Sequence, residues 1–265
     1  MKAARAAALL AAVATASCGA PLMKLPAGPG EPASDGAAAL ARAVATCTTV
    51  STISAEVAVS GSVGGGRVRG RLLAGLAAPD SLYMEAPAPF GAPAFVLGAS
   101  GGDATLVLPR DRRVLEHGRP EEVLAAMTGV PLTPAELRTT LTGCAAEAAA
   151  GDGGGARALG ADWRVLDGEP VRYLRRERST APWRLVSVVR SGADGWRADY
   201  AGFVSDLPRS IRLVSNTPRR FDLRLELSQV DLNVALEPST FRVKIPAGLE
   251  PITLGELRAS GPLAP

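Results

Sequence analysis

A chain of 265 residues with 29 Lys and Arg against 26 Asp and Glu is nearly charge-balanced, so it has no strong field to recruit nucleic acid. One histidine and an aromatic share of 4% leave little material for a metal centre or a histidine-based triad. Three cysteines, Cys18, Cys47 and Cys144, take their meaning from the compartment the chain enters.

Lys2 and Arg5 precede an apolar run from Ala6 to Ala14, and Thr15-Ala16-Ser17 set small residues before Cys18. A positive end, an apolar run and small residues in that order predict a signal peptide over residues 1–17. The run is shorter than the roughly 18 to 20 apolar residues of a spanning helix. One alternative is an ordinary secretory signal that happens to contain Cys18. The segment resembles a lipobox, and that resemblance implies diacylglycerol on the Cys18 sulfur, cleavage before it and N-acylation of the new terminus. No other cofactor is expected. Gly19 follows the cysteine where Asp would be the usual inner-membrane retention signal, which points to the periplasmic face of the outer membrane. Removal of Lys2 and Arg5 with the signal brings the net charge down to about +1. In an oxidising compartment Cys47 and Cys144 form an even pair. They are read either as a disulfide or as two separate buried thiols.

Residues 18–36, rich in Pro and Gly, read as a lipidated N-terminus and flexible tether. Asp35 is the expected cap of a helix over residues 36–48, with Leu40 and Val44 on one face. The period then changes to two: Ile53, Ala55, Val57 and Val59 alternate with smaller or polar residues, as in a strand with one covered face. Gly64-Gly65-Gly66 turns the chain into residues 67–75, where Arg67, Arg69 and Arg71 point away from Val68 and Leu72. Short strands are predicted over 82–84, 94–98, 105–108 and 113–116. Pro120-Glu121-Glu122 opens one short helix. Thr133-Pro134-Ala135-Glu136 opens a second with the spacing of a capping box, and Leu137 and Leu141 should face the core. Gly151 to Gly155 is read as a flexible gap. Strands are predicted again over 163–166, 171–175, 183–190, 196–200, 211–214, 221–227 and 241–245.

The order predicts a mainly antiparallel α+β fold: a curved, incomplete β-barrel of about ten or eleven strands with helices covering the concave side. Those helices either plug the concavity or lie over a lined cavity as a lid. Trp163, Trp183 and Trp196 sit at strand positions and read as core. The cluster Arg172, Arg175, Arg176 and Arg178 reads as solvated strand faces.

Met127-Thr128-Gly129-Val130-Pro131-Leu132, then Leu137-Arg138 and Leu141-Thr142-Gly143, resemble the helical segment of the LolA/LolB family of lipoprotein carriers, with the outer-membrane receptor LolB as the nearest pattern. Gly195-Trp196-Arg197-Ala198-Asp199-Tyr200, Leu207-Pro208, Ile211-Arg212-Leu213 and the strand over 221–227 look like its later strands. The resemblance spans roughly residues 35–233, within a domain placed at 37–255 and followed by a tail at 256–265. The stretch from Asn233 to Gly248 looks instead like the ending of LolA-like proteins, and the Gly- and Ala-rich insert around 145–157 departs from the pattern. The resemblance implies a concavity that holds acyl chains, gated by the helices bearing Met127, Leu137 and Leu141. It also implies a membrane-inserting loop at Pro89, Phe90 and Gly91, with Phe90 where the family usually has Leu. From the residues alone, Phe90 reads somewhat more readily as a ring that closes one end of the core.

His117, beside Gly118, reads as a turn residue, and no nucleophile elbow, phosphate loop or paired-acid site is present. The chain is therefore expected to be no enzyme. The resemblance makes its partners acylated lipoprotein cargo, a periplasmic LolA-like carrier and outer-membrane lipid, with no nucleic acid. The alternative is a structural or protein-interaction lipoprotein of the envelope that carries no lipid.

Overall fold

Alternation gives each long strand one dry face, and burial of those faces shapes the fold. The structure, a computed structural model, describes residues 22–144 and 155–260. The signal segment, Cys18, Gly151–Gly154 of the expected gap and the end of the chain beyond 260 lie outside the described residues. In order, the elements are β1 (Glu31–Pro32), α1 (Gly36–Val44), a 3₁₀ turn at Cys47–Thr49, β2 (Thr52–Val63), β3 (Gly66–Ala77), β4 (Ser81–Glu85), β5 (Val96–Ser100), β6 (Asp103–Leu108) and β7 (Arg113–Gly118). Two helices follow, α2 (Pro120–Thr128) and α3 (Pro134–Leu141). The chain returns to the sheet through β8 (Ala156–Ala158), β9 (Trp163–Leu166), β10 (Val171–Arg175), β11 (Arg184–Val189), β12 (Trp196–Ala201), β13 (Ser210–Ser215) and β14 (Phe221–Leu232). A 3₁₀ turn at Pro238–Phe241, β15 (Glu250–Pro251) and α4 (Leu254–Ser260) complete it.

All strands of the described residues join one open, curved sheet in the order β1-β8-β9-β10-β11-β12-β13-β14-β2-β3-β4-β5-β6-β7-β15. Every pairing is antiparallel except β15 on β7. The fold class is the one expected, but the fifteen strands among the described residues exceed the ten or eleven read from the sequence. β1, β8 and β15 are two or three residues long, too short to leave a period-two signal. The central pair is set by a two-residue turn: Gly64 and Gly65 both take positive φ, and Val63 pairs with Gly66 across it. That register turns Val57 and Val59 of β2, Leu72 and Ala74 of β3, and Leu223 and Leu225 of β14 to one face.

Four local readings are corrected. The stretch 241–245 is not a strand: after the 3₁₀ turn it runs over the outer face of β4 and β5. A Cβ at Gly98 would lie 2.5 Å from the Phe241 carbonyl oxygen, so glycine admits the close approach. Asp35 makes no side-chain cap to α1; its carboxylate accepts hydrogen bonds from Arg164 at 2.7 and 3.0 Å instead. The expected tether is bound rather than free from Met23 onward. The Met23 amide donates to Asp199, Arg197 donates to the Met23 carbonyl, and Arg157 donates to the Gly28 carbonyl. Finally, the body begins at β1 rather than at residue 37 and continues past residue 255, because α4 packs on α2 and fully buries Leu257.

Candidate functional site

The residues under the two central helices build the site. Val57, Val59, Leu72, Ala74, Met84, Leu213, Leu223 and Leu225 form its floor on five strands, and Leu124, Thr128, Val130, Leu132, Leu137 and Leu141 form its roof. They enclose about 70 Å³. No lining side chain is ionisable, so the cavity holds no acid or base. Small-molecule sites run from roughly 300 Å³ upward, so a long acyl chain enters only if the roof shifts. Of the helix residues expected to gate the cavity, Leu137 and Leu141 line it, and Met127 is buried in the core beside it.

The roof has local causes. Pro120 starts α2, with Glu121 and Glu122 in its first turn, where carboxylates oppose the helix's positive end. α2 stops at Gly129, whose φ of +72° is left-handed; a Cβ there would also meet Val63 at 2.9 Å. α3 carries the capping box expected of it, with the Thr133 hydroxyl accepting from the Glu136 amide and the Glu136 carboxylate accepting from the Thr133 amide.

The two ends of α3 are held differently. Beyond its C-terminus, Cys144 is joined to Cys47 in a disulfide across a separation of 97 residues, and Arg138 donates to the Val50 carbonyl at 2.7 Å. At its N-terminal end, the half-exposed pair Glu136–Arg190 bridges to the end of β11 at 2.9 Å. That pair was not legible in the sequence, since 54 residues separate its members. The floor residues were not assigned either, because either strand face was a possible interior.

The loop between β4 and β5 holds Pro89, Phe90 and Gly91. It is pinched at its base by backbone hydrogen bonds from Ala86 to Phe95 and from Ala94 to Ala86. Phe90 is 92% exposed, so it does not close the core. The core position nearby belongs to Phe95, which is buried. Register places this loop at the same end of the sheet as the Gly64-Gly65 turn and the α2–α3 corner at Gly129.

The remaining candidates fall elsewhere. His117 is exposed at the end of β7, with positive φ and Asp103 at 3.4 Å. Among the described residues no group of His, Cys, Asp and Glu is arranged to hold a metal. Trp183 and Trp196 are buried and Trp163 half-buried. Arginines lie over all three rings: Arg164 and Arg176 on Trp183, Arg175 on Trp163, and Arg190 on Trp196. Arg172, expected on a solvated face, is buried. Burial raises the Tyr200 hydroxyl pKa far above its usual value, and the charge on Asp199 adds to the effect. Burial, then the hydrogen bond to Glu85, pushes Tyr83 up to about 12.

No protein-family model matches this chain, and no curated protein matches its sequence. Among solved structures it is similar to a LolA superfamily protein from Nitrosomonas europaea, at 14% identity over 78% of this chain and 97% of that one, with a TM-score of 0.47. A putative outer membrane lipoprotein-sorting protein domain from Vibrio parahaemolyticus is similar at 14% identity over 72% and 88% of the two chains, with a TM-score of 0.41. The Mycobacterium tuberculosis lipoprotein LppX is similar at 10% identity over 76% and 96%, with a TM-score of 0.33. These scores are low, and the functional reading rests on this chain's own residues.

Proposed function

We propose that this protein is a lipid-anchored, non-enzymatic carrier or receptor that shelters the acyl chains of lipoproteins at the periplasmic face of the outer membrane. The apolar cavity under the two-helix roof carries this reading. Acyl chains gain by leaving water, and the lining offers nothing else to recognise. The lipobox-like segment ending at Cys18 supplies the anchor, and the exposed Phe90 supplies a ring that can be buried in the headgroup layer. A periplasmic LolA-like protein would deliver cargo, and α2 and α3 would move aside to admit it. Titrating mature residues 19–265 with a triacylated lipopeptide, and with the same peptide lacking acyl chains, tests this. Saturable binding that requires the acyl chains is expected. Its absence from folded protein would sink the carrier reading.

The closeness of the roof favours a second reading. A cavity of about 70 Å³ also suits a core filled by its own side chains, in an envelope scaffold whose sheet binds another protein. Such a protein would bind neither lipopeptide.

A further inference from the structure

β3 is longer than the strand beside it. It pairs with β2 along its whole length from Gly66 to Ala77, but with β4 only from Leu73 to Ala77. From Arg67 to Leu72 it has, among the described residues, a neighbour on one side only. At about 3.3 Å per residue, that free edge runs for roughly 20 Å.

The direction of its backbone groups follows from the register. Ala78 donates to the Ser51 carbonyl on the β2 side, so even-numbered residues of β3 face β2 and odd-numbered ones face the other way. The amides and carbonyls of Arg67, Arg69 and Arg71 therefore point out of the sheet. They have no backbone partner among the described residues. All three residues are exposed, and no strand of the described residues pairs with them on that side.

We infer that this free edge of β3 is a strand-addition site for an extended acidic peptide, running from the hairpin tip to the rim of the apolar cavity. Three observations select that occupant. Leu72, the last residue of the free edge, also lines the cavity, so the edge and the cavity are continuous. The three arginines project from the outer face, where alternate carboxylates of an added strand would stand beside them. Arg71 already binds Glu56, whereas Arg67 and Arg69 have no ion-pair partner among the described residues. A second copy is disfavoured for the same reason: antiparallel self-pairing about Arg69 sets Arg67 against Arg71 and Arg69 against itself. The inference rests on the carrier reading for its cargo, the peptide being the linker next to a lipoprotein's acylated terminus.

Amide hydrogen exchange on the mature chain tests it, with a capped, acyl-free nine-residue peptide alternating Glu and Val as probe. The amides of Arg67, Arg69 and Arg71 are expected to exchange roughly tenfold more slowly with peptide present. A peptide N-methylated at its pairing amides should give no protection. The variant Arg69→Pro should give none at Arg67 and Arg71, because it removes an edge donor while sparing the β2 ladder. Unchanged exchange in β14 will establish that this variant is folded, and R67E/R69E should weaken the response without abolishing the fold. Equal protection by the N-methylated peptide overturns the inference. So does protection reproduced by phosphatidylglycerol vesicles without peptide, or no protection at all. A triacylated lipopeptide of uncharged sequence separates the two readings. Its binding by Arg69→Pro, with no peptide protection in the natural chain, leaves the carrier and removes the strand site. Peptide protection without acyl binding overturns the carrier and leaves a peptide-binding edge.

Discussion

Glu136 and Arg190 meet at 2.9 Å and tie the first turn of α3 to the end of β11. The opposite end of the same helix runs into a covalent link, Cys144 to Cys47. A roof fastened by a half-exposed ion pair at one end and a disulfide at the other swings more easily from the ion-paired end. That end is near the Gly129 corner, on the side of the sheet that carries Phe90.

Arg190→Ala should therefore speed acyl-chain uptake while changing stability modestly. Both side chains are about a third exposed, and such pairs contribute about 0.2–1 kcal/mol; the lost contact of Arg190 with the Trp196 ring adds about 0.5–1 kcal/mol. Stopped-flow mixing with a lipopeptide and urea unfolding measure the two effects. An unchanged uptake rate would refute the hinge. Glu136→Ala is the poorer test, because it also removes the capping box, which costs on the order of 1 kcal/mol in its own right.

The disulfide should contribute far more to stability than the ion pair. Closing a loop of 97 residues restricts the unfolded chain by an amount the chain-entropy model puts at about 4–5 kcal/mol. Replacing both cysteines with serine should lower the denaturation midpoint of the oxidised protein, and added reductant should no longer shift it. A midpoint equal to that of the natural chain would show that the link does not form in solution.

How much of this was legible depended on how local each cause was. Alternation in β2, β13 and β14 identified the curved sheet, and Thr133 with Glu136 announced the capping box, since each signal lies within a few residues. The C-terminal segment misled for the same reason. Phe241, Val243 and Ile245 alternate as in a strand, yet what places them is the bare backbone of Gly98, far away in the chain. The cavity floor needed the hairpin register to say which face was inside. Phe90 between proline and glycine leaned toward the core in the sequence; its exposure, with Phe95 filling the nearby core position, decides for the surface.

Asp35 was misread because a distant arginine competes for its carboxylate. The hydrogen bond from Arg164, opposed in part by burial, holds its pKa below the usual aspartate value. A lowered carboxylate pKa contributes stability above its unfolded value of 3.8, and that contribution is lost as pH falls through the folded value. Asp35→Asn should thus weaken the natural chain in full above pH 3.8, progressively less as pH falls toward the lower folded value, and not at all below it. Urea unfolding across that range checks this, and a difference independent of pH would assign the effect to packing. The carboxylate is half exposed, so salt should shrink the difference.

Phe90→Ala should separate folding from membrane contact. The ring is 92% exposed, so its removal should move stability by no more than about 0.5 kcal/mol. Binding of unlipidated protein to phospholipid vesicles, measured by sedimentation, should fall, and transfer of a bound lipopeptide into those vesicles should slow. Lipopeptide affinity in solution should stay the same, since the ring lies outside the cavity lining. If vesicle binding is unaffected, the loop does not meet the bilayer.

Ala74→Val tests the cavity most directly. Ala74 is buried in the floor and lines the 70 Å³ space, so two added methyl groups would fill part of a void rather than displace packed atoms. The folded protein should keep its stability to within about 1 kcal/mol, because modest filling of a cavity offsets the strain of a larger side chain. An acyl chain that occupies the same space would lose it. Affinity for the triacylated lipopeptide should then fall by roughly tenfold, equivalent to about 1.4 kcal/mol, with no change in binding of the acyl-free control. If the scaffold reading were correct, the variant would only tighten the core, and no ligand measurement would respond. Undiminished acyl binding in a stable Ala74→Val protein would instead place the acyl chains somewhere other than this cavity.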